Sequence, residues 1–156
     1  MDLNTPDLPH PKHILLVDDE DDCNFVTRLV LKKAGFSGKL TCYTAPEEAI
    51  DHLRRGVDLP DLMFVDINMP RMNGFDACRA LRERGSCRHT PVLMLTARDD
   101  VMAVTLAFEA GATDYLAKPY DKAELLTRVR TLLALKQSIQ QAIRNARQLE
   151  SEQQQR

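Results

Sequence analysis

Leu62-Met63-Phe64-Val65 is an apolar run without alternation, followed directly by the carboxylate of Asp66. Such a run suits a strand covered on both faces, as in the middle of a parallel sheet, and it delivers Asp66 to the sheet edge. Outward from it the chain repeats one rhythm, short apolar runs alternating with amphipathic helical patterns. This predicts an α/β fold, a doubly wound five-stranded parallel sheet with crossover helices. The other strands are read at His13 to Val17, Lys39 to Thr44, Pro91 to Leu95 and Asp114 to Ala117.

The first helix is predicted from about Asp22 to Ala34, with Phe25, Val26, Leu29 and Val30 buried and Gly35 at its end. Thr44 and Glu47 form a capping box for the second, Pro46 fits its first turn and Gly56 closes it. A turn from Met69 to Gly74 leads into the third, where Ala77, Cys78 and Leu81 share a face and Gly85 is the stop. The fourth runs from about Asp99 to Ala110 with Gly111 as its cap, and the last begins near Asp121. From Tyr120 to Arg156 there is no glycine or proline, so nothing forces that helix to stop near Leu135. Leu132, Leu135, Ile139, Ala142, Ala146 and Leu149 follow the alternating three and four spacing of a coiled-coil seam. The seam is short and two of its places are alanine, so the tail reads either as a dimerising helix or as a frayed end.

The 156 residues, 44% hydrophobic and 28% charged, fit one soluble domain with an appendage and exclude both a two-domain enzyme and a wholly disordered chain. Lysine plus arginine (21) nearly balances aspartate plus glutamate (23), and the net charge of −2 offers no footprint for nucleic acid or anionic membrane. No apolar run is long enough to span a bilayer. Residues 1–11, with Pro6, Pro9 and Pro11, read as a disordered leader rather than a secretory peptide, which implies a cytoplasmic protein. Cys23, Cys42, Cys78 and Cys87 lack any C-x-x-C spacing and read as reduced thiols. His10, His13, His52 and His89 show no ligand spacing, and Met69 and Met72 read as packing or partner contacts rather than metal ligands.

Ligands of an open parallel sheet sit beyond the carboxyl ends of its strands. There the first strand ends in Asp18-Asp19, the third in Asp66, the fourth in Thr96 and the fifth in Lys118-Pro119. Singly these are caps and loop residues. Together they put three carboxylates near one another, and the repulsion calls for a divalent cation. Hard oxygen ligands suit Mg²⁺ better than zinc. An aspartate can also act as a nucleophile that carries a phosphoryl group, with a cation, Lys118 and the Thr96 hydroxyl offsetting the incoming charge.

At this point the runs ILLVDDE, FVDINMPRMNGFD, VLMLTA and GATDYLAKP resemble those of response-regulator receiver domains of two-component signalling, over about Lys12 to Leu135. The resemblance implies a flavodoxin-like sheet of order 2-1-3-4-5 and a domain at 12–135, followed by a helical extension at 136–156. It implies Asp66 as phosphoacceptor, with Mg²⁺ (or Mn²⁺ in its place) on Asp18, Asp19, Asp66 and the Asn68 backbone carbonyl. Thr96 and Lys118 would bind the phosphoryl group, the Lys118–Pro119 bond would be cis, and Thr96 with Tyr115 would form the switch. Asn68 and Arg98 would flank the site and influence hydrolysis. The implied partner is a sensor histidine kinase or phosphotransfer protein, and the implied role is a signalling switch acting on an output domain or effector, not a metabolic enzyme.

Three other readings stand beside it. A haloacid-dehalogenase-type phosphatase wants a second aspartate two residues after its nucleophile, where this chain has Asn68. A flavodoxin-like binding module would meet repulsion from Asp18-Asp19-Glu20-Asp21-Asp22. The third is a receiver-like scaffold that is never phosphorylated. No helix-turn-helix or basic stripe follows the domain, so direct nucleic-acid binding is not expected, and the chain reads as a single-domain regulator or a piece of a longer protein, with a homodimer forming through the tail.

Overall fold

The computed structural model describes residues 11–67, 74–96 and 101–156. Five strands, β1 (His13–Val17), β2 (Lys39–Tyr43), β3 (Leu62–Asp66), β4 (Val92–Thr96) and β5 (Asp114–Ala117), form one parallel sheet in the order β2-β1-β3-β4-β5. Between and after them run α1 (Asp21–Lys33), α2 (Pro46–Arg55), α3 (Gly74–Arg82), a 3-10 turn (Gly85–Cys87), α4 (Val101–Glu109) and α5 (Lys122–Gln154). Every residue of β1, β3 and β4 is buried, while the edge strand β2 is half-open.

Strand alternation divides the core in two. Leu15, Val17, Met63, Val65 and Met94 face α2, α3 and α4, meeting Ile50, Leu53, Ala77, Leu81 and Ala107. Ile14, Leu16, Phe64, Leu93 and Leu95 face the other way, against Leu31 of α1 and Leu125, Leu126, Val129 and Leu133 of α5. Each of the larger side chains among these contributes on the order of 1.5 to 3 kcal/mol, which is why unbroken apolar runs became central strands.

Several local expectations are corrected. Phe25, Val26 and Leu29 do not face the core: they are 62%, 49% and 41% exposed. The inner face of α1 is instead Asn24, Thr27, Leu31 and Ala34, all buried at helical spacing. The two polar residues are accommodated by hydrogen bonds, Asn24 Nδ2 donating to the Asp18 carbonyl at 3.0 Å and the Thr27 hydroxyl meeting that of Tyr120. The capping box of Thr44 with Glu47 does not form, because α2 starts one residue later, with Ala45 as N-cap and Pro46 at its first position. Gly56 does close α2, in the left-handed conformation that suits glycine. α3 ends at Arg82, and Gly85 opens the 3-10 turn rather than stopping the helix. The Met69–Asn73 part of the turn, Met72 with it, and the expected start of α4 at Asp99 lie outside the described residues.

α5 is one continuous helix of 33 residues. Leu132, the first residue of the expected seam, is 3% exposed inside the domain core and so faces the sheet rather than a second helix. Leu135 and Leu149 are 46% and 60% exposed, Ile139 is half-buried, and Ala142 and Ala146 are exposed. Where α5 leaves the sheet, Lys136 Nζ lies 3.3 Å from Asp61 Oδ1, while Asp61 Oδ2 accepts from the Lys12 and His13 amides at 2.7 and 3.0 Å.

Arg82 gathers the end of α3, the turn and the start of two strands. Its guanidinium donates to the carbonyls of Gly111 and Cys87, both at 2.9 Å, and also to the carbonyl of Thr90 and the hydroxyl of Thr113. Replacing Arg82 by methionine keeps much of the packing but strands these acceptors, so urea denaturation should show a loss of about 3 kcal/mol. A loss under about 1 kcal/mol would mean that water replaces the guanidinium freely.

The histidines give a second expectation. His52 is buried, its Nδ1 2.7 Å from the Tyr43 hydroxyl and its ring centroid 5.7 Å from that of buried His13. His13 Nε2 meets Thr41 Oγ1 at 2.8 Å, and His13 Nδ1 lies 3.6 Å from Asp58 Oδ1, whose carboxylate also pairs with Lys39. Burial pushes the His13 pKa below its ordinary 6.5, outweighing the opposing pull of Asp58. The folded state therefore holds this ring neutral where the unfolded chain would protonate it, so stability is full above about pH 6.5 and falls as pH drops below that value. Denaturation midpoints measured from pH 7.5 to 5 should show this slope, and His13→Gln should flatten it; an equal slope in both proteins would place the titration elsewhere.

Candidate functional site

In a parallel sheet all strands end on the same edge, and the register settles which residues meet there. Val17 pairs with Val65, so Asp18 follows β1 at the level of Asp66; Asp66 pairs with Leu95, and Thr96 with Ala117, one residue before Lys118. Asp18, Asp66 and Thr96 are 3%, 5% and 2% exposed, each held at the end of a buried strand.

Asp18 turns the chain into α1: its Oδ1 accepts from the Glu20 amide at 2.9 Å. Carboxylate oxygens of Asp18, Asp19 and Asp66 lie within 4.8 Å of one another. At a protein-surface dielectric each like pair at such a distance repels by roughly 3 to 4 kcal/mol. Lys118 answers part of this, its Nζ 2.6 Å from Asp18 Oδ2 and 3.7 Å from Asp66 Oδ2. Among the described residues three carboxylates face one ammonium, an excess of negative charge, and hard oxygen donors of this kind fit Mg²⁺. The Lys118–Pro119 peptide bond is cis, and the Lys118 amide donates to the Thr96 carbonyl.

Gly74, the first residue of α3, packs against the end of β3. A Cβ there would lie 2.4 Å from the Asp66 carbonyl oxygen and 2.6 Å from a Val65 methyl, so the close approach of helix to strand requires glycine. Tyr115 pairs with Met94, two residues before Thr96 and hence on the same face of the sheet. Its half-buried ring makes an edge contact with Phe108 of α4, centroids 6.2 Å apart.

The structure thus brings together Asp18, Asp19, Asp66 and Lys118, with Thr96 at the neighbouring strand end and Tyr115 one step behind it. Asn68 and Arg98 lie outside the described residues. Sequence reading missed three residues that touch the site's frame: Asn24, Thr27 and Tyr120. The available signal was a polar residue at two positions in helical phase with Leu31 and Ala34, which apolar periodicity passes over.

Known proteins share this fold. Residues 14–130 match the response regulator receiver domain family. The transcriptional regulatory protein CseB of Streptomyces coelicolor is 37% identical over 122 residues, 78% of this chain and 49% of that protein. The chain therefore spans about half the length of the curated relatives it matches. A solved structure assigned as a response regulator of Chloroflexus aurantiacus superposes with a TM-score of 0.72 at 38% identity, over 80% of this chain and 98% of that one. The receiver domain of a sensor histidine kinase from Pseudomonas aeruginosa, solved with a magnesium ion in its active-site cleft, superposes with a TM-score of 0.69 at 28% identity, over 79% of this chain and 98% of that one. Sequence and fold point the same way over the same segment, and the chain belongs to the response-regulator receiver domains, the signalling switches of two-component systems.

Proposed function

We propose that Asp66 accepts a phosphoryl group from a phosphohistidine of a partner kinase or phosphotransfer protein. The observation that carries this reading is the placement of Asp66: buried at the end of the middle strand, with Lys118 Nζ 3.7 Å away and two further carboxylates beside it. An Asp66 carboxylate oxygen attacks phosphorus, the phosphorus–nitrogen bond of the donor breaks, and the imidazole departs as an acyl phosphate forms. Asp18, Asp19 and Asp66 are the side chains that would hold Mg²⁺, as the resemblance also implies for the Asn68 carbonyl. When bound there, the ion offsets negative charge on the transferring oxygens. Lys118 leaves its ion pair with Asp18 in part to meet the same oxygens. Thr96 then bonds to the phosphoryl group and Tyr115 turns inward against α4, which alters the face formed by α4, β5 and α5.

Asn68 in place of a second aspartate argues against a turnover phosphatase. The net charge of −2 gives the chain no bulk attraction for nucleic acid, so contact of that kind would fall to an output domain outside the segment. We assign residues 12–135 to the receiver and 136–156 to a helical linker, with two copies pairing along α5 through Leu135 at the end of the receiver and Ile139, Ala142, Ala146 and Leu149 of the linker.

Intact mass after incubation with acetyl phosphate should show one added phosphoryl group that requires Mg²⁺ and vanishes in Asp66→Asn. Chelation by EDTA should abolish it, and Lys118→Ala should slow it by about a hundredfold. A wild-type protein that stays unlabelled and binds no Mg²⁺ would support the scaffold reading instead.

The linker is tested by sedimentation with and without beryllofluoride. The expected outcome is a shift toward dimer with the mimic, lost in Ile139→Glu; a monomer in both states would remove the pairing role of the tail.

A further inference from the structure

We propose that Thr27, through its hydroxyl bond with Tyr120, is a positioning residue that holds the loop carrying Lys118 against the phosphoacceptor; the proposal rests on Asp66 having that role. The starting observation is the inner face of α1. A helix packed on a sheet normally turns apolar residues inward, yet here Phe25, Val26 and Leu29 lie outside while Asn24 and Thr27 are 5% and 3% exposed. Burying an amide and a hydroxyl is unfavourable unless each is bonded, and valine would fill the space of Thr27 without that cost. Packing alone does not account for the choice.

The bonds these two residues make do account for it. Asn24 Nδ2 donates to the backbone carbonyl of Asp18, and the Thr27 hydroxyl meets the hydroxyl of Tyr120, two residues after Lys118. α1 therefore grips both chain segments whose side chains form the 2.6 Å pair of Lys118 with Asp18. The short loop from Lys118 to Asp121 is held by its backbone at Thr96 and by Asp121 as N-cap of α5. Tyr120 itself lines an open cleft with Val26 and Pro119, so packing encloses its ring on one side and the hydroxyl bond adds the tie to α1.

The chemical consequence follows from where the ammonium stands. Lys118 Nζ is closer to Asp18 than to Asp66 and must reach the incoming phosphoryl oxygens from that position. A loop released from α1 lets the ammonium rest elsewhere on the acidic cluster, and displacement of a charged group by about 1 Å is enough to slow a transfer step severalfold or more. Of the carboxylates that would hold the metal, Asp18 and Asp19 follow β1 and Asp66 ends β3, none of them in the loop that this release frees.

The test compares the rate of Asp66 labelling by acetyl phosphate, followed by intact mass, with Mg²⁺ affinity from calorimetry, in wild type, Tyr120→Phe, Thr27→Val, the double variant and Thr27→Ser. Tyr120→Phe and Thr27→Val should each slow labelling by about three- to tenfold, with Mg²⁺ affinity unchanged within about twofold. The double variant should be no slower than either single one, and Thr27→Ser, which keeps the hydroxyl, should retain the wild-type rate. Labelling at the wild-type rate in Tyr120→Phe, effects that multiply in the double variant, or a matching loss of Mg²⁺ affinity would overturn the positioning role while leaving Asp66 as phosphoacceptor. Absence of labelling in wild type would overturn both.

Discussion

Three carboxylates share one edge of the sheet, and their mutual repulsion is the constraint to which the rest of the molecule answers. Asp18, Asp19 and Asp66 hold oxygens within 4.8 Å of one another, and Lys118 is the ammonium set against them. Left to itself a flexible chain would separate these groups. They stay together because each is attached to something that cannot move cheaply: Asp18 and Asp66 end strands whose residues are buried throughout, and the strands are locked to one another in register. The repulsion is thus held in place by apolar burial elsewhere, and it is what makes the site attractive to a cation.

The same frame explains features that look incidental. Alternation along β1 and β3 sends successive side chains into two separate cores, one under α2, α3 and α4 and one under α1 and α5. Both cores must be filled for the strand ends to be rigid. Gly74 lets α3 approach the Asp66 carbonyl, and Arg82 fastens the far end of α3 to the segments before β4 and β5. A helix close to Asp66 at one end and tied down at the other leaves that residue little freedom.

Much of this was legible in the sequence, for a physical reason that also marks its limit. β1 and β5 coincide with the expected residues, β2 and β3 differ by one residue at one end and β4 by one at each end, because continuous apolar runs flanked by turns have few other ways to fold. Asp18, Asp66, Thr96 and Lys118 follow from the strands, since a parallel sheet puts all carboxyl ends together. Periodicity misled at α1, where it picked Phe25, Val26 and Leu29 although the inner face carries Asn24 and Thr27. An apolar moment counts where burial would be favourable, whereas this helix faces a loop and a strand end that offer hydrogen-bond partners. Leu132 failed as a seam residue for a related reason, since the heptad spacing continues a stripe that the sheet already covers. The pairing of His13 with His52 joins residues 39 positions apart through the fold alone, and nothing local announces it.

The route from the site to the tail is constrained by how α5 is attached. Leu125, Leu126, Val129, Leu132 and Leu133 bury its first turns against the sheet, Arg128 pairs with Asp114 of β5 at 3.0 Å, and Lys136 reaches Asp61 beside the start of β1. Beyond Lys136 the helix runs on to Gln154 with neither glycine nor proline to kink it. β5 carries Tyr115 and leads to Lys118, so a rearrangement there acts on α5 at its packed end. A continuous helix held at several points along its base transmits such a change as tilt or rotation of the whole rod rather than as a local bend. A small shift at the base is then enlarged with distance along the helix, and residues 139–149 are where two copies or a following domain would feel it.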